Sequence, residues 1–186
     1  MASISSRTGA ACIFSIALAS GLMLAANARA VVVVINVDSV DDDIDNDTSD
    51  GQCHISPNGP CTLRAALMTA NRILGDGATI MLPAGTYVQS RPIPPGDGED
   101  GGDLNMTTPS SGNPLITISG AGGSASTIID ANFQDRVLSI GAGRSASISG
   151  VTFRNGLSTG PGGGIACVGG TLTLNDVQFN NNTSSA

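Results

Sequence analysis

SISGVTFRN at residues 147–155 and TLNDVQFNN at residues 173–181 decide the fold. Laid over each other, they match Ile148 with Leu174, Val151 with Val177, Phe153 with Phe179 and Asn155 with Asn181, an offset of 26 residues. A second echo lies upstream. Gly120-Ala121-Gly122 and Ser124-Ala125-Ser126 return as Gly141-Ala142-Gly143 and Ser145-Ala146-Ser147, an offset of 21. A period of about 20–30 residues built only from short strands and turns marks a solenoid. One coil of such a chain cannot bury its own inward side chains. Stacked coils share parallel ladders at about 4.8 Å and build one thin continuous core. Asn tolerates the left-handed backbone of tight corners. A β-sandwich would join its strands by short hairpin loops and leaves the 26-residue offset unexplained. The pattern therefore predicts an all-β chain of stacked parallel coils.

Short apolar-alternating pieces continue toward the N-terminus: RVLSI (136–140), STIID (126–130) and LITIS (115–119). Clusters of Gly, Ser, Asn and Asp punctuate them, as turns between strands require. Residues 90–114 are rich in Pro, Gly and Asp and read as a long loop interrupting the coils. Before it, TIML (79–82) and TYVQ (86–89) flank Pro83-Ala84-Gly85 as two further short strands. TLRAALMTANRI (62–73) has a different period. Leu63, Ala66, Leu67, Ala70 and Leu74 share one helical face, Thr62 is placed to cap it, and Gly75 to end it. VVVVINV (31–37) reads as a strand ahead of an acidic stretch. The expected division is residues 1–30, an export signal; 31–75, an N-terminal module; and 76–186, the coils.

The export reading rests on Arg7, an uncharged apolar run at residues 10–26, and the small-residue exit Asn27-Ala28-Arg29-Ala30. The run is shorter than the roughly 20 apolar residues a membrane span needs. No second apolar run follows, so no transmembrane segment is expected in the exported chain. The protein carries eight Arg, no Lys and 15 acidic residues, a net charge of −7. That balance excludes nucleic acid as a partner, because no basic face is available. Export permits disulfides. Cys53 and Cys61 bracket a turn-rich loop, HISPNGP, and are expected to be bonded, adding about 2–3 kcal/mol. Cys167 is left over and is expected to be a buried thiol.

Two stretches resemble known families. GQCHISPNGPCTLRAALMTAN resembles the N-terminal module named for its Cys-Ser-Leu-Arg-Glu-Ala signature, found on exported bacterial proteins. Here the signature stands as Cys61, Thr62, Leu63, Arg64, Ala65 and Ala66, so Ala65 replaces the Glu that would complete a capping box. GGGIACVGGTLTLNDVQFNNN is similar to the Gly-Gly-Ala-(Ile/Leu/Val) and Phe-x-x-Asn repeats of polymorphic outer-membrane proteins, through Gly162-Gly163-Gly164-Ile165 and Phe179-x-x-Asn182. With TIMLPAGTY it also resembles the pectate-lyase-like superfamily. The resemblance implies a right-handed parallel β-helix with one N-terminal capping α-helix. It implies secretion or display at the cell surface. The sequence stops at NNTSSA, one strand after a repeat, so the coils are expected either to be incomplete at the C-terminus or to self-associate through the sheet edge left open there.

Candidate sites follow. Asp43, Asp45, Asp47 and Asp50 alternate as Ca²⁺ ligands can. The EF-hand pattern fails, with Thr48 where Gly is needed and His54 where Glu is needed. A solvated acidic linker is the competing reading. The superfamily resemblance offers Asp130, Asp135, Arg136 and Arg154, with Arg144, as the carboxylates and base of a polysaccharide lyase. A glycoside hydrolase would use paired carboxylates. His54 is the only histidine and lies in the Cys loop, which leaves no base for a nucleophilic triad. Gly162-Gly163-Gly164 has no Lys after it and reads as a coil corner rather than a phosphate loop. The reading favoured is a non-catalytic, adhesin-like surface module without cofactor. Its partners would be polysaccharide or surface proteins, and a calcium-stabilised adhesion module is a further alternative.

Overall fold

A computed structural model describes residues 32–75, 77–95 and 98–185. The expected signal, its Cys12 and Val31 lie outside the described residues. The chain runs β1 (Val33–Asn36), α1 (Leu63–Arg72), β2 (Gly77–Leu82), β3 (Gly85–Val88), β4 (Leu104–Met106), β5 (Leu115–Gly120), β6 (Thr127–Asp130), β7 (Leu138–Ile140), β8 (Ser145–Arg154), β9 (Leu157–Ser158), β10 (Ile165–Cys167), β11 (Thr171–Asn180) and β12 (Thr183–Ser184). Every strand pairing is parallel. The strands form sheets ordered β1-β2-β5-β8-β6-β3 with β11 on β8, β10-β7-β4, and β12-β9, with no closed barrel. The described residues are all-β with one helix, wound as stacked parallel coils.

The register shows why. Ile35, Ile80, Ile118, Ile148 and Leu174 form one column, each beside the next across a ladder. Tyr87, Ile129, Phe153 and Phe179 form a second. Met106, Ile140 and Cys167 align in the three-stranded sheet. Alternation within each strand sends these side chains inward together. Ile80, Ile118, Ile129, Ile148 and Phe153 are 0% exposed. One core cluster runs from Ile35 and the helix through to Phe153, so the N-terminal module and the coils share it.

The coils shorten along the chain. Val33 lies beside Ala78, Gly77 beside Leu115, Leu115 beside Ser145 and Ser145 beside Thr171, advances of 45, 38, 30 and 26 residues. The 26-residue offset is therefore a true register, with Phe153 stacked on Phe179 at 5.6 Å between ring centroids. The 21-residue echo is not. Ser147 pairs with Thr117, not Ser126, and the two Gly-Ala-Gly pieces follow β5 and β7 at different corners. Both corners need the same small residues, so composition imitated a repeat. Gly150 shows the constraint. It has φ +66° in the bend of β8, and a side chain there would collide with the carbonyl of Gly120 in the adjacent coil.

Other expectations are corrected. The 90–114 loop contains β4, and three strands of two or three residues, β9, β10 and β12, carried no readable period. The helix forms with Thr62 as N-cap, its Oγ1 accepting from Ala65 N–H at 3.1 Å. It ends at Arg72, which leaves Leu74 64% exposed rather than on the buried face. The amphipathic picture was also too simple. Nine of the ten helix residues are buried, because β2 and β4 lie on one side and the acidic segment folds over the other. Cys53 and Cys61 are bonded as expected. Cys167 is exposed, not buried: no described coil lies above its column.

Candidate functional site

Parallel pairing puts Asp130 at the end of β6 directly beside Arg154 at the end of β8. Arg154 Nε donates to Asp130 Oδ2 at 2.7 Å. Asp130 Oδ1 accepts from Asn132 N–H and Asn155 Nδ2, both at 2.9 Å. Burial pushes the Asp130 carboxyl upward, but the bonds from Asn132, Asn155 and Arg154 prevail and hold it below the usual carboxylate range. Asn155 in turn accepts from Asn181 one coil on, at 3.1 Å. Asn155 and Asn181 both have positive φ, so a corner ladder of left-handed Asn residues extends this pair.

Asp135 and Arg136 sit at the corner before β7. Arg136 reaches across coils: Nη1 to Asp103 Oδ2 at 2.9 Å, Nη2 to Ser158 Oγ at 3.1 Å and Nε to the Gly162 carbonyl at 2.9 Å. Asp135 accepts from Asp103 N–H at 3.2 Å and from Arg136 N–H at 2.7 Å. No hydrogen bond or ion pair links Asp130 or Arg154 to Asp135 or Arg136. The four lyase candidates thus form two separate clamps, each spent on holding one coil to another.

Arg144 is fully buried and bonds only to Asn71 and to the carbonyls of residues Thr107 and Pro114. Burial lowers its pKa, and the charge of Glu99 raises it in part. A base must touch its substrate, and this guanidinium reaches no solvent.

The acidic run is likewise absorbed by the structure. Asp45 accepts from Thr69 Oγ1 at 2.5 Å and from Asp47 N–H at 3.1 Å. Asp47 takes the Ser49 hydroxyl and N–H, which lower its pKa. Asp50 takes Gln52 N–H, and Asp43 faces Arg91 at 3.5 Å. These are side-chain turns of the kind Asp favours. Among the described residues, no three His, Cys, Asp or Glu side chains group to hold a metal ion.

The residue that sequence reasoning undervalued is Arg64. Its side chain is 1% exposed and its three nitrogens bond to Asp42, Glu99 O, Gly102 O and Asp103 O. Asp42 also accepts Ser90 N–H and Arg91 N–H. One guanidinium therefore ties the helix, the acidic run and the long loop together. Its signal was present as the Arg of the helix signature beside an unexplained acidic run. An open cleft of about 590 Å³ lined by Val33, Thr48, Thr69, Ile73 and Leu74 lies elsewhere and holds none of the lyase candidates. No helix among the described residues is long and apolar enough to cross a membrane.

Comparison with family models, curated proteins and solved structures finds no match for this chain.

Proposed function

We propose that the chain is a non-catalytic, exported bacterial right-handed β-helix, working at the cell surface or outside the cell as a structural and interaction module. One observation carries the reading. The charged groups that lyase chemistry would use are consumed in bonds between coils, Asp130 with Arg154 and Asp103 with Arg136. What remains at the surface is the regular wall of a coil stack. Export is supported by the apolar N-terminal run and by the bonded Cys53–Cys61 pair, which suits an oxidising compartment. The test is incubation of the purified chain with polygalacturonate and calcium, following absorbance of unsaturated products. No signal is expected. A signal that Arg154→Ala removes would overturn the reading in favour of a lyase. EDTA should leave the Tm unchanged; a fall would instead favour the calcium-stabilised alternative.

A further inference from the structure

We propose that Gln89 holds one buried water molecule at the seam between β3 and the acidic segment, as a fixed part of the fold. Gln89 directly follows β3 and is 4% exposed. Its Nε2 donates to the Val137 carbonyl at 2.7 Å. That contact fixes the orientation of the amide, because a flip would set two oxygens against each other. Oε1 is thereby turned away from Val137, and it finds no donor among the described residues. A buried amide oxygen left without a hydrogen bond is costly. Native proteins satisfy nearly all such groups, from the chain itself or through ordered water.

The cavity that Gln89 borders selects the occupant. Its volume is about 10 Å³, and its lining includes Asp41, Asp42, Leu63, Tyr87 and Leu104. That is about the room one water needs, given two or more polar partners. The Tyr87 hydroxyl is no donor here, since it is spent on the Pro83 carbonyl at 2.9 Å. The polar side-chain atoms left are Gln89 Oε1 and the two carboxylates, all acceptors. The occupant must therefore donate more than one hydrogen bond, and water does so within this volume. Asp42 has the capacity: its Oδ1 accepts from Arg64 Nε at 2.7 Å and can accept a second bond. A hard cation would want about six or more oxygens, where Leu63 and Leu104 supply apolar wall instead. Asp41 is exposed, which gives the cavity an entry from solvent. The bridge from Gln89 through water to Asp42 continues the Arg64–Asp42 clamp onto the coil wall, joining the closed end to β3.

The probe is water itself. Magnetic relaxation dispersion of the solvent counts long-lived waters in the purified chain, and protein–water NOE spectroscopy locates them. The expected result is a long-lived water with NOEs to the methyl groups of Leu63 and Leu104. Gln89→Met keeps a side chain of similar length without the amide, so the count should fall by one and those NOEs should vanish. If the folded wild-type chain shows no water NOE at either leucine, the proposal is overturned, and that measurement needs no variant to fold. An unchanged count and unchanged NOEs in folded Gln89→Met would overturn it too. So would sodium-23 relaxation showing a slowly exchanging ion that Gln89→Met releases, because a cation would then occupy the cavity.

Discussion

Phe153 and Phe179 occupy the same column one coil apart, but the first is fully buried and the second is half exposed. At the opposite end of the stack the situation is reversed. Leu63, Leu67 and Met68, on a helix of mixed composition, are all at most 6% exposed, and even Arg64 is closed off. The difference is not in the residues. In a stack of coils a side chain is buried by what lies above and below it. The N-terminal end receives a helix and then an acidic segment folded over it. β11, the last coil described, has a neighbour on one side only.

The largest expected effect tests the closed end. Arg64→Ala leaves Asp42 buried without its cation and frees carbonyls at Gly102 and Asp103. Breaking a buried pair on one side costs about 3–5 kcal/mol. Denaturant unfolding should show that loss, and Arg64→Lys should recover only part of it because an ammonium cannot reproduce the fork. A loss under about 1 kcal/mol, the scale of a solvated surface pair, would mean the end is not closed.

The next test addresses the column directly. Phe153→Ala should cost about 3–5 kcal/mol, as for other buried aromatics. Phe179→Ala removes the same ring from the same column, but one with half its surface already in water. About 1 kcal/mol is expected for it, chiefly the lost ring contact. Equal losses would show that β11 is covered in solution by another surface.

This contrast also explains what could be read in advance. The 26-residue register, the Phe column, the helix with its Thr62 cap and the Cys53–Cys61 bond all follow from local patterns. Burial of Cys167 was misjudged because its composition and strand are right for a core position, and only the absence of an overlying described coil exposes it. The lyase candidates were legible as residues, and the register sets Asp130 beside Arg154. That Arg136 would turn toward Asp103, 33 residues away, depends on how the long loop returns, and no periodicity encodes that. The apolar alternation in LITIS, SASIS and TLTLN was legible, but only the register aligns the three strands.

A smaller effect is expected from the disulfide at the closed end. Cys53 and Cys61 are separated by 8 residues, so replacing both by Ala should cost about 2–3 kcal/mol through a less constrained unfolded chain. Reduction of the wild type should lower stability by a similar amount. If neither does so, the acidic segment is held by Asp38, whose Oδ1 accepts Cys61 N–H at 2.7 Å, and by Arg64, rather than by the bond.

The finest comparison sets two carboxylates against each other. Asp130 lies within the stack and Asp176 on β11, and both have pKa values below the ordinary range. For Asp176 the cause is the Ser124 hydroxyl and N–H, which it accepts at 2.7 and 3.2 Å. A carboxyl with a depressed folded pKa favours the folded state above its unfolded value, about 3.9. That contribution disappears as pH falls from about 4 through the folded value. Asp130→Asn should therefore destabilise the protein at pH 7 and flatten the loss of stability on acidification. Asp176→Asn should do the same more weakly, because its fully exposed charge is screened by water and salt. Unfolding midpoints measured from pH 7 down to pH 3 (the range that brackets the unfolded value) decide the point. An acid limb that depends on Asp176 as much as on Asp130 would mean that the last described coil is held as firmly as the coils beneath it.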